Sequence, residues 1–145
     1  MPLYLLDTNI ISHAIRDLKG NCHRKIVEAD QKMICTSIIV AAELRFGILK
    51  RGASTLFSRV EDFLSRISVR PFDGDADRAY AEIRVGLERT GQPIGANDMW
   101  IAAHALSLDA ILVTDNTTEF SRIAKLRIEN WIGDAARPRP PAAAT

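Results

Sequence analysis

Four acidic residues in this 145-residue chain, Asp7, Glu43, Asp98 and Asp115, stand where a strand end or a helix would carry them to one mouth of a sheet. Asp7 closes the apolar run Leu3-Tyr4-Leu5-Leu6, and Asp115 closes Ala110-Ile111-Leu112-Val113-Thr114. Glu43 interrupts the apolar helical pattern that opens Ile38-Ile39-Val40-Ala41-Ala42, on the face that also carries Ile39 and Phe46. Asp98 opens the apolar stretch 99–108. Carboxylates driven to a common point repel one another; at ~4 Å and an effective dielectric near ~20, each pair costs roughly 4 kcal/mol before screening. A bound divalent cation offsets that repulsion. The four residues therefore define a candidate acidic metal site, and metal-assisted hydrolysis of a phosphodiester is the chemistry such a site suits.

Each acid also has a plainer reading. Glu43 could reach water at the edge of its apolar stripe, or pair with Arg45 or Lys50. Asp98 could favour the positive end of its helix dipole. Asp7 and Asp115 could each cap the helix that follows a strand. The case for a site rests on all four falling on one face of one architecture. Thr8, Asn9, Thr114 and Asn116 flank the two strand-ending acids and are suited to orienting carboxylates or holding water, or to capping helices.

The elements that must position these groups alternate. Residues 3–6, 33–36, 68–72, 110–114 and 126–131 read as strands. Helical patterns occupy about 8–15 and about 21–30, with Gly20-Asn21 as a break. Ser37 caps a helix that runs to about Lys50 and stops at Arg51-Gly52. A second helix carries Leu56, Val60, Phe63, Leu64 and Ile67 on one face, making a helical hairpin with the first. Asp73-Gly74-Asp75 starts a long helix to about Thr90, and a helix over 98–108 follows a Gly/Pro loop. Asn116 and Glu119 have the spacing of a capping box for a short helix near Phe120. Strands separated by helices predict an α/β fold with a mainly parallel sheet. Ligands of such sheets bind beyond the carboxyl ends of the strands, where the strand order reverses. The tail 133–145, rich in Pro and Ala, is expected to be disordered or extended.

The length fits one domain with its own core, and the apolar fraction of 47% is ordinary for a globular protein. With 19 basic and 18 acidic residues the net charge is +1, so any attraction for nucleic acid must come from local clustering. Arg45, Lys50, Arg51, Arg59, Arg66 and Arg70 against Glu61 and Asp62 make one such cluster, suited to phosphates or simply to a solvated helix face. No apolar run is long enough to span a membrane, and the N-terminus does not read as a signal peptide, so a cytoplasmic location is expected. Cys22 and Cys35 lack the spacing of a zinc set and are read as reduced, buried thiols. His13, His23 and His104 are scattered; His104, on an apolar helix, is read as a core or interface residue.

The chain resembles the PIN-domain ribonucleases and, within them, the VapC toxins of bacterial toxin–antitoxin pairs. The matching segments are Leu5-Leu6-Asp7-Thr8-Asn9-Ile10, the run from Ser37 through Ala42-Glu43-Leu44 to Gly47, Ile94-Gly95-Ala96-Asn97-Asp98-Met99-Trp100, and Leu112-Val113-Thr114-Asp115-Asn116 to Phe120. They occur in the family's order and cover residues 1–132. The resemblance implies a PIN-like three-layer α/β/α fold with a central sheet and a helical hairpin. It implies an endoribonuclease that uses Mg²⁺ or Mn²⁺ on single-stranded RNA, often tRNA, and is restrained by a VapB-type antitoxin. It also implies a homodimer. By position Asp7, Glu43 and Asp98 match the three core acids and Asp115 the more variable fourth; Glu119 is a further contributor or a simple helix cap.

Two rivals compete with the nuclease. One is a non-enzymatic RNA-binding or protein-interaction module that keeps the acids as structure. The other is a phosphotransferase of haloacid-dehalogenase type, which needs a second Asp where this chain has Asn9.

Overall fold

The computed structural model describes residues 2–52 and 54–132. Five strands form one sheet: β1 (Tyr4–Leu6), β2 (Ile34–Ser37), β3 (Ser68–Arg70), β4 (Ile111–Val113) and β5 (Ile128–Glu129), in the spatial order β3-β2-β1-β4-β5. Every neighbouring pair is parallel. β1 sits at the centre, with Leu5 beside Cys35 on one flank and Leu112 on the other. Successive strand side chains point to opposite faces. Leu5 and Leu6 are nonetheless both fully buried, as are Leu112 and Val113, so the sheet is covered on both sides in a three-layer α/β/α arrangement.

The covering helices are α1 (Thr8–Arg16), α2 (Asn21–Glu28), α3 (Ile38–Arg51), α4 (Ser54–Arg66), α5 (Ala76–Arg89), α6 (Ala96–Ser107) and the short α7 (Thr117–Phe120). Local chemistry sets their ends. Ser37 Oγ accepts from the Ile39 amide at 3.0 Å and starts α3. Gly52 ends it in the left-handed region, at φ 66°, with its amide returning to the Ile48 carbonyl at 2.9 Å. α3 and α4 pack as the expected hairpin, clamped on the outside by a two-pronged contact from Arg45 to Glu61 at 2.9 and 3.0 Å.

From β1 the chain steps outward through β2 to β3, then returns by α5 and α6 to β4 on the other side of β1. The strand order therefore reverses between β1 and β4, and a crevice opens there beyond the strand ends. Asp7 follows β1 directly, and Thr114, Asp115 and Asn116 follow β4.

Several boundaries differ from the sequence expectation. β3 stops at Arg70 because Pro71 has no amide to continue the ladder. β5 keeps only two paired residues, although Leu126 and Trp131 on its flanks are buried and hydrophobicity alone read them as strand. The helix expected to 30 ends at Glu28, because Asp30 caps a 3₁₀ turn at Gln31–Met33 by accepting from the Lys32 amide at 3.0 Å. α6 begins two residues before Asp98, which lies in its first turn. Cys22 and Cys35 are buried free thiols, each pushed up to about 11 by burial. The tail 133–145 lies outside the described residues.

Candidate active site

Asp7 is both a helix cap and the most enclosed acid. Its Oδ1 accepts from the Thr8 amide at 2.8 Å and starts α1. Its Oδ2 accepts from Thr114 Oγ1 at 2.7 Å and from Asn9 Nδ2 at 3.3 Å. Its backbone amide donates to the Val113 carbonyl at 2.9 Å, tying the end of β1 to the end of β4. Only 3% of the residue is exposed. Burial raises its pKa, the bonds from Thr114 and Thr8 oppose the rise, and the nearby Glu43 charge adds to it.

Glu43 projects from α3 toward the same crevice. Its Oε1 accepts from Thr8 Oγ1 at 2.7 Å and its Oε2 from Asn97 Nδ2 at 3.3 Å. The pairing with Arg45 that the sequence allowed does not form, since Arg45 reaches across the hairpin to Glu61 instead.

Asp98 comes from the first turn of α6 and accepts from Asn116 Nδ2 at 3.3 Å. Its pKa is pushed up to about 7, first by burial, then by the Asp7 charge, a hydrogen bond and charge from Glu119, and the charge of Glu43. The contributions of three other acids to this rise place them close to Asp98.

Glu119 belongs to this crowd. Asn116 Nδ2, which also faces Asp98, donates to Glu119 Oε2 at 2.7 Å. The capping box expected from the sequence is not made, because the Asn116 side chain caps no amide of α7. Asp115 behaves differently from the expectation. Its carboxylate is exposed and accepts from Asn130 Nδ2 at 2.9 Å, while its amide donates to Asn9 Oδ1 at 2.9 Å. The charges that raise Asp98 come from Asp7, Glu119 and Glu43. The structure thus brings together Asp7, Glu43, Asp98 and Glu119 and turns the Asp115 side chain toward β5. A strand-end residue alternates in direction with its neighbours; Thr114 points inward to Asp7 and Asp115 points away.

Asn97 is the site residue the sequence reading did not single out. Its position beside Asp98 was visible, but only the fold shows that its amide meets a carboxylate 54 residues away. His104 is core, as read: it is 1% exposed, and its Nδ1 meets the Ser37 hydroxyl at 2.7 Å.

Hydroxyl and amide donors stand among the acids, and Asp98 and Glu119 also hydrogen-bond to each other. Among the described residues, no three acidic, His or Cys side chains stand in closed ligand geometry. The donor chemistry nevertheless fits a hard divalent cation: every side chain in the cluster offers oxygen, and the charge crowding on Asp98 is what such an ion relieves. Two grooves meet at Thr8 and Glu43. One, of about 190 Å³, has an apolar floor of Ile15, Leu44, Ile48 and Val60 and is edged by Arg16 and Arg51. The other, of about 710 Å³, runs past Ile38, Ile39, Ala42, Phe46 and Asn97.

Comparison with known proteins agrees with this geometry. The sequence profile of the PIN domain matches residues 4–126. The chain belongs to the PIN-domain family. Among curated PIN-domain proteins, ribonuclease VapC2 of Rickettsia felis is 39% identical over 131 residues, covering 89% of this chain and 98% of that protein. The tRNA(fMet)-specific endonuclease VapC of Shigella flexneri is 36% identical over 132 residues, covering 90% and 99%. The DNA-bound VapBC crystal structure from Salmonella typhimurium contains a chain that superimposes with a TM-score of 0.82 at 34% identity, covering 90% of this chain and 99% of that one. Within the PIN-domain family, this chain falls among the VapC ribonucleases.

Proposed function

We propose that this PIN-domain protein is the toxin of a VapBC-type pair and cuts RNA by metal-dependent phosphodiester hydrolysis. The observation that carries the reading is the gathering of Asp7, Glu43, Asp98 and Glu119 at the reversal point of the sheet, with Asp98 raised to about 7 by burial and then by its acidic neighbours. Asp7, Asp98 and Glu119 would hold a Mg²⁺ or Mn²⁺ ion, which when bound neutralises phosphoryl charge and acidifies water. Glu43, fixed by Thr8 and Asn97, is placed to orient the attacking water and accept its proton. Arg16 and Arg51 beside the same residues supply positive charge for the RNA backbone.

The name of the Shigella flexneri relative specifies tRNA(fMet), which makes a tRNA the substrate class to test first. The VapBC complexes among the structural relatives support a VapB-type antitoxin partner. Exposed Ile38, Phe46 and Leu49 on α3 support pairing of two copies. Among the described residues no helix is long and apolar enough to cross a membrane, and a tRNA substrate favours the cytoplasm. The deciding experiment incubates antitoxin-free protein with total RNA, with Mg²⁺ or with EDTA, beside Asp7→Asn. Cleavage that needs Mg²⁺ and is lost in the variant supports the reading. RNA left intact by the wild type under all conditions favours a non-enzymatic RNA-binding or interaction module.

A further inference from the structure

The loop that joins β4 to α7 carries a side chain, Asn116, that takes the carboxylate-orienting role the sequence offered rather than the capping one. Asn116 occupies the N-cap of α7, where an Asn ordinarily accepts from an amide of the first turn and contributes about 1 kcal/mol. Here that bond is absent, and the side-chain amide instead donates toward two carboxylates, Glu119 Oε2 at 2.7 Å and Asp98 Oδ2 at 3.3 Å. The backbone of Asn116 is fixed from behind: its amide donates to Thr114 Oγ1 at 3.0 Å, and that hydroxyl donates to Asp7 Oδ2 at 2.7 Å. One residue is thereby linked to three acids that come from three separate elements. Its side-chain amide nitrogen is within hydrogen-bond distance of both Asp98 and Glu119, which also hydrogen-bond to each other, so Asn116 braces a pair of carboxyl groups already in contact.

We propose that Asn116 is a positioning residue of the acidic centre, holding Asp98 and Glu119 in place for a divalent cation and so setting how tightly that ion binds. The inference rests on the proposed reading of the acids as a cation site. It predicts opposite behaviour for two substitutions. Asn116→Ala removes the donor and leaves the carboxylates to splay apart. Asn116→Asp keeps the shape and the ability to cap α7, but exchanges the donor for a further negative charge.

The test measures Mn²⁺ binding by electron paramagnetic resonance and thermal melting with Mn²⁺ or EDTA, on the full chain. Asn116→Ala is expected to weaken Mn²⁺ binding by about 10-fold or more. Asn116→Asp is expected to melt lower than wild type in EDTA and to gain more from added Mn²⁺ than wild type does. Because Asn116→Asp retains a capping side chain, it keeps the test decisive if the alanine variant does not fold. Variants that match the wild type in both Mn²⁺ affinity and Mn²⁺-induced melting shift overturn the positioning role alone. A wild-type chain that binds no Mn²⁺ overturns it together with the cation reading.

Discussion

The Thr8 hydroxyl donates to Glu43 Oε1 at 2.7 Å, joining the first turn of α1 to the middle of α3 across 35 residues of sequence. That single bond fixes the direction of the carboxylate that faces both grooves. Thr8→Val keeps the shape of the side chain and removes the donor. Cleavage is expected to fall by about 10-fold, with the melting temperature nearly unchanged, since Glu43 is then steered by Asn97 alone. An RNA cleavage assay beside a melting curve separates the two effects; equal rates for variant and wild type would remove the orienting role of Thr8.

Asp98 gives the cation-free protein a definite pH dependence. Its folded pKa, about 7, lies above the ordinary value of 3.8, so the folded state holds a proton that the unfolded state has lost across that interval. Stability from this group is fully present below about pH 4 and declines as pH rises to about 7. After allowance for solvent screening the loss is on the order of 2 kcal/mol. Asp98→Asn in EDTA is expected to flatten this decline. Added Mg²⁺ should stabilise the wild type more at pH 8 than at pH 5, because the ion competes with the proton for the same oxygens. Melting curves at the two pH values, with and without the ion, read both signs.

Asp115 and Glu119 make a paired test of which acid acts. Glu119→Gln removes a charge that sits against Asp98, and its cleavage rate is expected to fall by about 10-fold or more. Asp115→Ala removes only the side-chain contact to Asn130, and its rate is expected to stay within about threefold of wild type. The reverse order of effects would restore Asp115 to the centre and dismiss Glu119.

Ser37 and His104 form a buried polar pair whose loss should cost stability without touching the acids. The Ser37 hydroxyl accepts from the Ile39 amide and meets His104 Nδ1 at 2.7 Å, with both side chains enclosed. Burial lowers the His104 pKa and so favours the neutral imidazole. Ser37→Ala is expected to destabilise by about 1–3 kcal/mol, since it removes a cap and strands the imidazole. Chemical denaturation measures this directly, and a change below about 0.5 kcal/mol would show the pair to be idle.

The sheet and its crevice were legible because they depend on local pattern. Short apolar runs ending in Asp7 and Asp115, separated by helical periods, specify parallel strands and the place where their ends meet. Ser37 as a cap and His104 as core followed from the same kind of local rule. What escaped depended on side-chain direction over long separations. Nothing near Asp115 in sequence reveals that Asn130 draws its carboxylate outward. The spacing of Asn116 and Glu119 suits a helix cap, and only Asp98, 18 residues before Asn116, converts that pair into part of the acidic cluster. Arg45 had two acids within reach, and the hairpin geometry chose Glu61.

Because β1 must bond to β4, Asp7 acquires its partner Thr114 only from a segment made more than a hundred residues later. A polypeptide still emerging from the ribosome has Asp7, Glu43 and even Asp98 in hand, yet no strand to lock the first of them and no Glu119 to join them. The acidic centre thus stays unassembled until the segment that carries Thr114, Asn116 and Glu119 has been made.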